Sequence, residues 1–230
     1  MNQKVKIILT TILLSNFFYI QTIYAENERK ISSKIDLKKK SQKQHSTSPE
    51  ELSTKGNIQV VMNTSLGKIK LELFKEKDPL TVNNFLSYVK AGFYNGTIFH
   101  RIIDGFIIQG GAYDKNFNEK INKQPSIKNM SHLGLKNTIG TIAMARKPNA
   151  PDSATSQFFI NLLNNQNLDY QRNEHGYAVF GKITSGLEIV QKIAKQKIGQ
   201  REGMYYVPFY PEFAIIHSIE CSECSLNNTN

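Results

Sequence analysis

Apolar residues in the central part of the chain recur first with a period of two. Ile58, Val60 and Met62 occupy alternate positions, and Ile69, Leu71 and Leu73 repeat the pattern beyond Leu66-Gly67. Such alternation marks half-buried strands, and the short spacer between the runs predicts an antiparallel pair joined by a tight turn. The period then lengthens. Asp78-Pro79 supplies a capping side chain and a first-turn proline, after which Val82, Phe85, Leu86 and Val89 fall at helical spacing until Ala91-Gly92. Leu187, Val190, Ile193 and Ala194 predict a second helix behind Gly186. Between and after these helices lie short β-like runs at 97–103, 106–110, 139–145, 156–162, 177–183 and 213–219. Many short strands with two helices point to a barrel or sandwich closed by helices and exclude a doubly wound sheet. No internal repeat interrupts this order.

The first 56 residues obey neither period. Residues 1–25 carry Lys4 and Lys6, an apolar run from Ile7 to Phe18, and Ile23-Tyr24-Ala25 before Glu26. A basic start, an apolar middle and a small final residue predict a secretory signal peptide cut after Ala25. Ser15, Asn16 and Gln21 leave the run short of the ~20 apolar residues a stable membrane span needs. Residues 26–56 are polar, with Lys38-Lys39-Lys40 and almost no aromatic side chain, which predicts a disordered linker. Its basic run could touch an anionic membrane surface weakly, although solubility is the plainer reading. The chain is thus expected to be exported, to the periplasm or beyond, and to act as a monomer.

Charge adds one exclusion. The chain holds 29 Lys and Arg against 19 Asp and Glu, a net +10, but residues 1–56 contribute ten of the bases and five of the acids. The remainder is only +5 (19 − 14). Part of the excess thus sits in the leader and linker rather than on a folded face, so nucleic-acid binding, which needs clustered Lys and Arg, is not expected.

Four ordered stretches carry the chemistry. They are Phe99-His100-Arg101-Ile102-Ile103-Asp104-Gly105-Phe106-Ile107-Ile108-Gln109-Gly110-Gly111, Gly140-Thr141-Ile142-Ala143-Met144-Ala145-Arg146, Ser156-Gln157-Phe158-Phe159-Ile160-Asn161 and Tyr177-Ala178-Val179-Phe180-Gly181-Lys182. Together they resemble the cyclophilin family of peptidyl-prolyl cis-trans isomerases, in particular its secreted bacterial branch. The likeness runs from about Asn57 to Ile219, leaving 220–230 as a tail. It implies a mainly β fold, a closed antiparallel eight-stranded barrel capped by two helices, with no cofactor and no metal. It further implies that Arg101 is catalytic with Gln109 orienting it. His100, Phe106, Ile107, Ala145, Arg146, Gln157, Phe159, Leu168 and Tyr177 would line the substrate site. Partners would be proline-containing peptides and unfolded exported proteins.

The same residues can be read without the family. Arg101 stands in an otherwise apolar strand, where a guanidinium is costly to desolvate unless partners hold it; composition alone favours a surface salt bridge. Gln157 and Phe159 are two apart and share a strand face, while Phe158 and Ile160 face the other way. A two-residue turn at Asp104-Gly105 would place Phe106 with Arg101 and turn Gln109 away. The resemblance puts Gln109 beside the arginine, so a longer turn or a bulge is required.

Rival chemistry finds little support. His45, His100, His132, His175 and His217 show no zinc-like spacing, and His100 reads as a packed or hydrogen-bonded side chain. Asp152-Ser153 and His175 lack the nucleophile elbow of a hydrolase. Cys221-Ser222-Glu223-Cys224 follows the last strand without a βαβ context, which favours a small disulfide over a redox centre. A proline-peptide-binding or chaperone module with incidental isomerase activity remains the alternative function.

Departures from the family carry their own expectations. Lys115 to Lys136 holds few familiar residues and reads as a loop that sets partner choice. Tyr177 stands where many relatives have His, altering subsite contacts more than catalysis. Asn167 stands where many carry Trp, and the chain has no Trp at all. Cyclosporin binding is therefore expected to be weak while isomerase activity is kept. A submicromolar inhibition constant measured on the purified domain would contradict this.

Overall fold

The structure is a computed structural model that describes residues 56–221 apart from 122 and 173, together with Cys224. The expected signal peptide and, except for Gly56, the expected linker lie outside the described residues.

Strands β1 (Ile58–Thr64) and β2 (Gly67–Leu73) pair antiparallel from Ile58 opposite Leu73 to Thr64 opposite Gly67. Only Ser65 and Leu66 separate the last pair, and Thr64 closes the turn by donating its hydroxyl to the Gly67 carbonyl at 2.7 Å. Helix α1 (Pro79–Lys90) begins as its sequence requires, with Asp78 Oδ1 accepting from the Thr81 N–H at 2.9 Å and Pro79 in the first turn. Strands β3 (Thr97–Ile103), β4 (Ile107–Asp114), β5 (Thr141–Met144), β6 (Phe158–Asn161) and β7 (Val179–Ser185) follow, then helix α2 (Leu187–Ala194). The hairpin β8 (Ile198–Arg201) and β9 (Met204–Pro208) precedes the final strand β10 (Ile215–Glu220).

Eight strands close into one barrel in the order β1-β10-β3-β4-β6-β5-β7-β2, all neighbours antiparallel. Closure removes sheet edges, and inward side chains fill the interior. Phe85 from α1 enters among Tyr94, Phe158 and Phe180, with ring centroids 5.1–5.7 Å apart. Phe158 meets Phe85, Tyr94 and Phe99 edge to face, the arrangement that ring quadrupoles favour. Val190, Ile193 and Ala194 turn the apolar side of α2 inwards. The barrel is thus solid, and a substrate can be met only on its outer face.

The barrel, its eight strands and both helices agree with expectation; the hairpin β8–β9 was not anticipated. β8 is exposed along most of its length and β9 has two exposed residues followed by two buried ones, so neither carries a clean buried-exposed alternation. Cys221 and Cys224 form a disulfide just beyond β10.

Candidate active site

The connection between β3 and β4 decides what shares the outer face. Ile103 pairs with Ile107, so the turn holds three residues, Asp104, Gly105 and Phe106. The Phe106 N–H donates to the Ile103 carbonyl at 3.0 Å, and Gly105 takes φ +70°, which a side chain would resist. A two-residue turn is thereby corrected to the longer one, and Arg101 comes to lie directly opposite Gln109.

A bulge in β3 completes the rearrangement. Phe99 pairs with Gly110 and Arg101 with Gln109, which leaves His100 as an extra residue. Phe99 and Ile102 enter the core, so His100 and Arg101 are both turned outwards, as a bulge permits and a regular strand does not.

Register then builds one row across five strands. Arg101 faces Gln109, Gln109 faces Phe159, Phe159 faces Ala143, and Ala143 faces Val179. With ~4.8 Å between strands, Arg101 stands about 10 Å from the Phe159 backbone, within reach of one prolyl residue and its flanking peptide. Ile107, Ala143, Ala145, Phe159 and Val179 form a continuous apolar floor against which Phe106, Leu168 and Tyr177 pack. One end of the row is charged and the other is apolar.

Polar contacts hold the charged end. Arg101 Nη1 donates to Gln109 Oε1 at 3.4 Å, and Gln109 Nε2 donates to Gln157 Oε1 at 2.8 Å. Among the described residues no carboxylate pairs with Arg101. The surface salt bridge that composition favours is therefore not what holds it. Beside Arg101 opens a cavity of about 540 Å³, lined by His100, Tyr113 and Gln157 and, across it, by Tyr205 and Tyr206 of β9.

The remaining expected residues divide. Arg146 packs its guanidinium over the Tyr177 ring, 4.5 Å from the centroid, and donates to the His175 and Gly176 carbonyls at 2.6 and 3.3 Å. Its side chain thus braces a loop. The Ala145 N–H already donates to the Gln157 carbonyl at 2.9 Å, so that group is not available to a substrate. Asn167 is exposed on the short turn Gln166–Leu168. The Ser153 hydroxyl donates to the Ala150 carbonyl and accepts from the Lys147 N–H, closing a turn.

Sequence reading missed three buried asparagines that position the groove. Asn165 donates to the Phe106 carbonyl at 3.0 Å and to Asn161 Oδ1 at 2.8 Å. Asn161 donates to Asn137 Oδ1 and Thr141 Oγ1, and Asn137 reaches the Leu168 and Tyr177 carbonyls. The network ties both walls together, and buried amides of this kind are tolerated only when so satisfied. Asn161 closes the third motif, but nothing in the spacing of Asn137 and Asn165 marks them.

A closed antiparallel barrel with a single guanidinium at the head of an outer apolar groove defines a class. The model of the family described as cyclophilin type peptidyl-prolyl cis-trans isomerase/CLD matches residues 59–209. A peptidyl-prolyl cis-trans isomerase of Acinetobacter baylyi is 55% identical over 138 residues, 60% of this chain and 72% of that one. Peptidyl-prolyl cis-trans isomerase B of Escherichia coli is 46% identical over 168 residues, covering 71% of this chain and 99% of its own. A crystal structure of a Cryptosporidium parvum cyclophilin-type isomerase has a TM-score of 0.58 at 28% identity, covering 72% of this chain and 97% of that one. Another, with the dipeptide Ala-Pro present, also has a TM-score of 0.58, at 27% identity, covering 71% and 98%. The chain belongs to the cyclophilin-type peptidyl-prolyl cis-trans isomerases.

His100 is buried beside Arg101, stacked edge to face on Tyr113 at 4.8 Å, and its Nδ1 has no hydrogen-bond partner among the described residues. Burial pushes its pKa from 6.5 down to about 4, with the Arg101 charge adding to the effect. Between those values the unfolded chain holds a proton that the folded chain refuses, so stability falls as pH is lowered through the window. Urea unfolding is expected to show a loss of about 2 kcal/mol from this group between pH 7 and 5. His100→Phe should abolish that component, and an unchanged pH slope in the variant would assign it elsewhere.

Proposed function

We propose that the chain speeds rotation about Xaa-Pro bonds in exported proteins, with the Arg101 guanidinium donating a hydrogen bond to the prolyl nitrogen. Amide resonance opposes rotation by about 18–20 kcal/mol, and exchange unaided takes about 10–100 s. In the twisted state the nitrogen loses resonance, becomes pyramidal and carries a lone pair. A donor that meets this lone pair favours the twisted state over either planar isomer, which is what catalysis requires. No covalent bond forms or breaks.

The observation that carries this reading is the row from Arg101 through Gln109 to Phe159. It sets a guanidinium held by an amide beside an aromatic floor that suits a proline ring. Exchange in milliseconds needs about 10⁴-fold acceleration, roughly 5.5 kcal/mol. One positioned donor is worth about 3–4 kcal/mol where water is excluded. Holding the ring on Phe106, Ile107, Phe159 and Leu168 supplies the rest by fixing one half of the bond while the other turns. Gln157 and the backbone at Arg146 are suited to hold the flanking peptide.

A proline-peptide-binding or chaperone role with incidental exchange activity is the second reading, and the exposed aromatics of β9 favour it. Exchange kinetics on an Ala-Pro tetrapeptide separate the two. Arg101→Ala is expected to lower kcat/KM by about 10²–10³-fold, chiefly through kcat, with the fold unchanged by circular dichroism. Equal failure of wild type and variant to speed exchange would transfer the function to binding.

Export is supported by the composition of residues 1–25, and the periplasm is the compartment we propose. Fractionation of cells expressing the full chain should recover a periplasmic protein whose mass begins at Glu26. Recovery of a cytosolic chain that retains residues 1–25 would remove this part of the proposal.

A further inference from the structure

The hairpin β8–β9 and the turn after it carry an aromatic surface that the isomerase chemistry leaves unused. Among the described residues, Tyr205, Tyr206, Phe209, Tyr210 and Phe213 are five of the six exposed large aromatics, each 45–62% exposed. Phe209 and Tyr210 meet edge to face at 4.9 Å, and Tyr210 and Phe213 follow at 6.2 Å. Lys197 Nζ sits 4.5 Å from the Phe209 centroid. Exposed side chains gathered in this way mark an interaction surface, whereas scattered ones would not.

The backbone ties this surface to the candidate active site. Gly199 pairs with Val207 and Gln200 with Tyr205, so Tyr206 is an extra residue in β9. Its φ of +61° lies in the left-handed region, which is unfavourable for a bulky side chain. Consecutive residues of a regular strand face opposite ways. The bulge instead lets Tyr205 and Tyr206 both line the cavity beside Arg101. Arg201 braces the hairpin from its other strand by stacking on Phe117, 4.9 Å from the ring. From Tyr206 to Phe209 the chain advances ~10 Å, about three residues of an extended peptide. Phe209, Tyr210 and Phe213 therefore lie a few residues along the chain from the cavity, beyond the buried Val207 and Pro208.

We propose that these three side chains bind aromatic or large aliphatic residues of the same client peptide, a few positions from its proline, and so select unfolded hydrophobic segments. The proposal rests on the isomerase reading of the groove and adds a second contact outside it. Its occupant is an extended client and not a second copy of the chain, because Tyr205 and Tyr206 of the same hairpin line the cavity that Arg101 and Gln157 share, so a peptide placed at Arg101 meets this strand first.

The test uses twelve-residue peptides sharing one Ala-Pro bond, with Phe or Ser placed three to five residues before or after it, beside an Ala-Pro tetrapeptide. Wild type should exchange one of the Phe peptides with a kcat/KM about threefold to tenfold above its Ser counterpart. A chain with Phe209→Ser, Tyr210→Ser and Phe213→Ser should lose that preference and keep the tetrapeptide rate. Equal rates for Phe and Ser peptides on wild type, a comparison that needs no variant, would overturn the proposal and leave the isomerase reading intact. If wild type fails on the tetrapeptide, the isomerase reading falls. Anisotropy of the labelled peptides then decides the surface alone, with equal affinity for Phe and Ser forms overturning it. Sedimentation showing a wild-type dimer that the triple variant dissolves would assign the surface to self-association and also overturn it.

Discussion

The charge at position 101 is held by amides, and the rest of the site depends on that choice of partner. A carboxylate would bind a guanidinium more strongly than Gln109 does, through paired and shorter hydrogen bonds. It would also neutralise the field at the head of the groove, where the prolyl nitrogen is proposed to gain electron density. Gln109 and Gln157 orient Arg101 while leaving its formal charge uncompensated. The cost of a half-buried cation without a counterion is bearable because the cavity beside it is open to water when empty.

Two independent frameworks keep that arrangement still. Inside, Phe158 is clasped by three other rings, so β6 cannot slide without breaking close-packed aromatic contacts. Outside, the adjacent Phe159 belongs to the groove floor, and the same short strand thus ties core and site together. At the far end, the amides of Asn137, Asn161 and Asn165 join the turn that bears Phe106 to the segment bearing Leu168 and Tyr177. Asn137 and Asn165 satisfy backbone carbonyls of the loops and Asn161 links the two amides, so the loops inherit the rigidity of the barrel.

Much of this was legible beforehand where periodicity was regular. The period of two in β1 and β2 and the Asp78-Pro79 start of α1 translate directly into structure, because alternation and capping are local effects. The facing of Phe159 against Phe158 followed from the same rule. Periodicity misleads at His100-Arg101, where the bulge sets two neighbours on one face and reverses the phase behind it. The position of Gln109 was therefore anticipated only through family resemblance. The asparagine network was illegible for another reason: its members are brought together by folding, Asn137 and Asn161 being 24 residues apart in the chain. The hairpin β8–β9 was hidden because β8 is short and mostly exposed and the extra residue in β9 breaks the alternation of its apolar side chains.

Similar irregularities shape both sides of the cavity. In β3 an extra residue turns His100 and Arg101 the same way, and in β9 an extra residue brings Tyr205 and Tyr206 to a common cavity. The first bulge is embedded in the closed barrel, where pairing with β4 before and after it resists change. The second lies in a separate two-stranded sheet. A two-stranded hairpin has little stability of its own and takes its position from side-chain contacts such as Arg201 on Phe117. Residues of β9 can therefore vary with less consequence for the barrel than residues of β3. The cavity thus combines a wall set within the closed barrel with a hairpin wall whose side chains can change without moving the guanidinium.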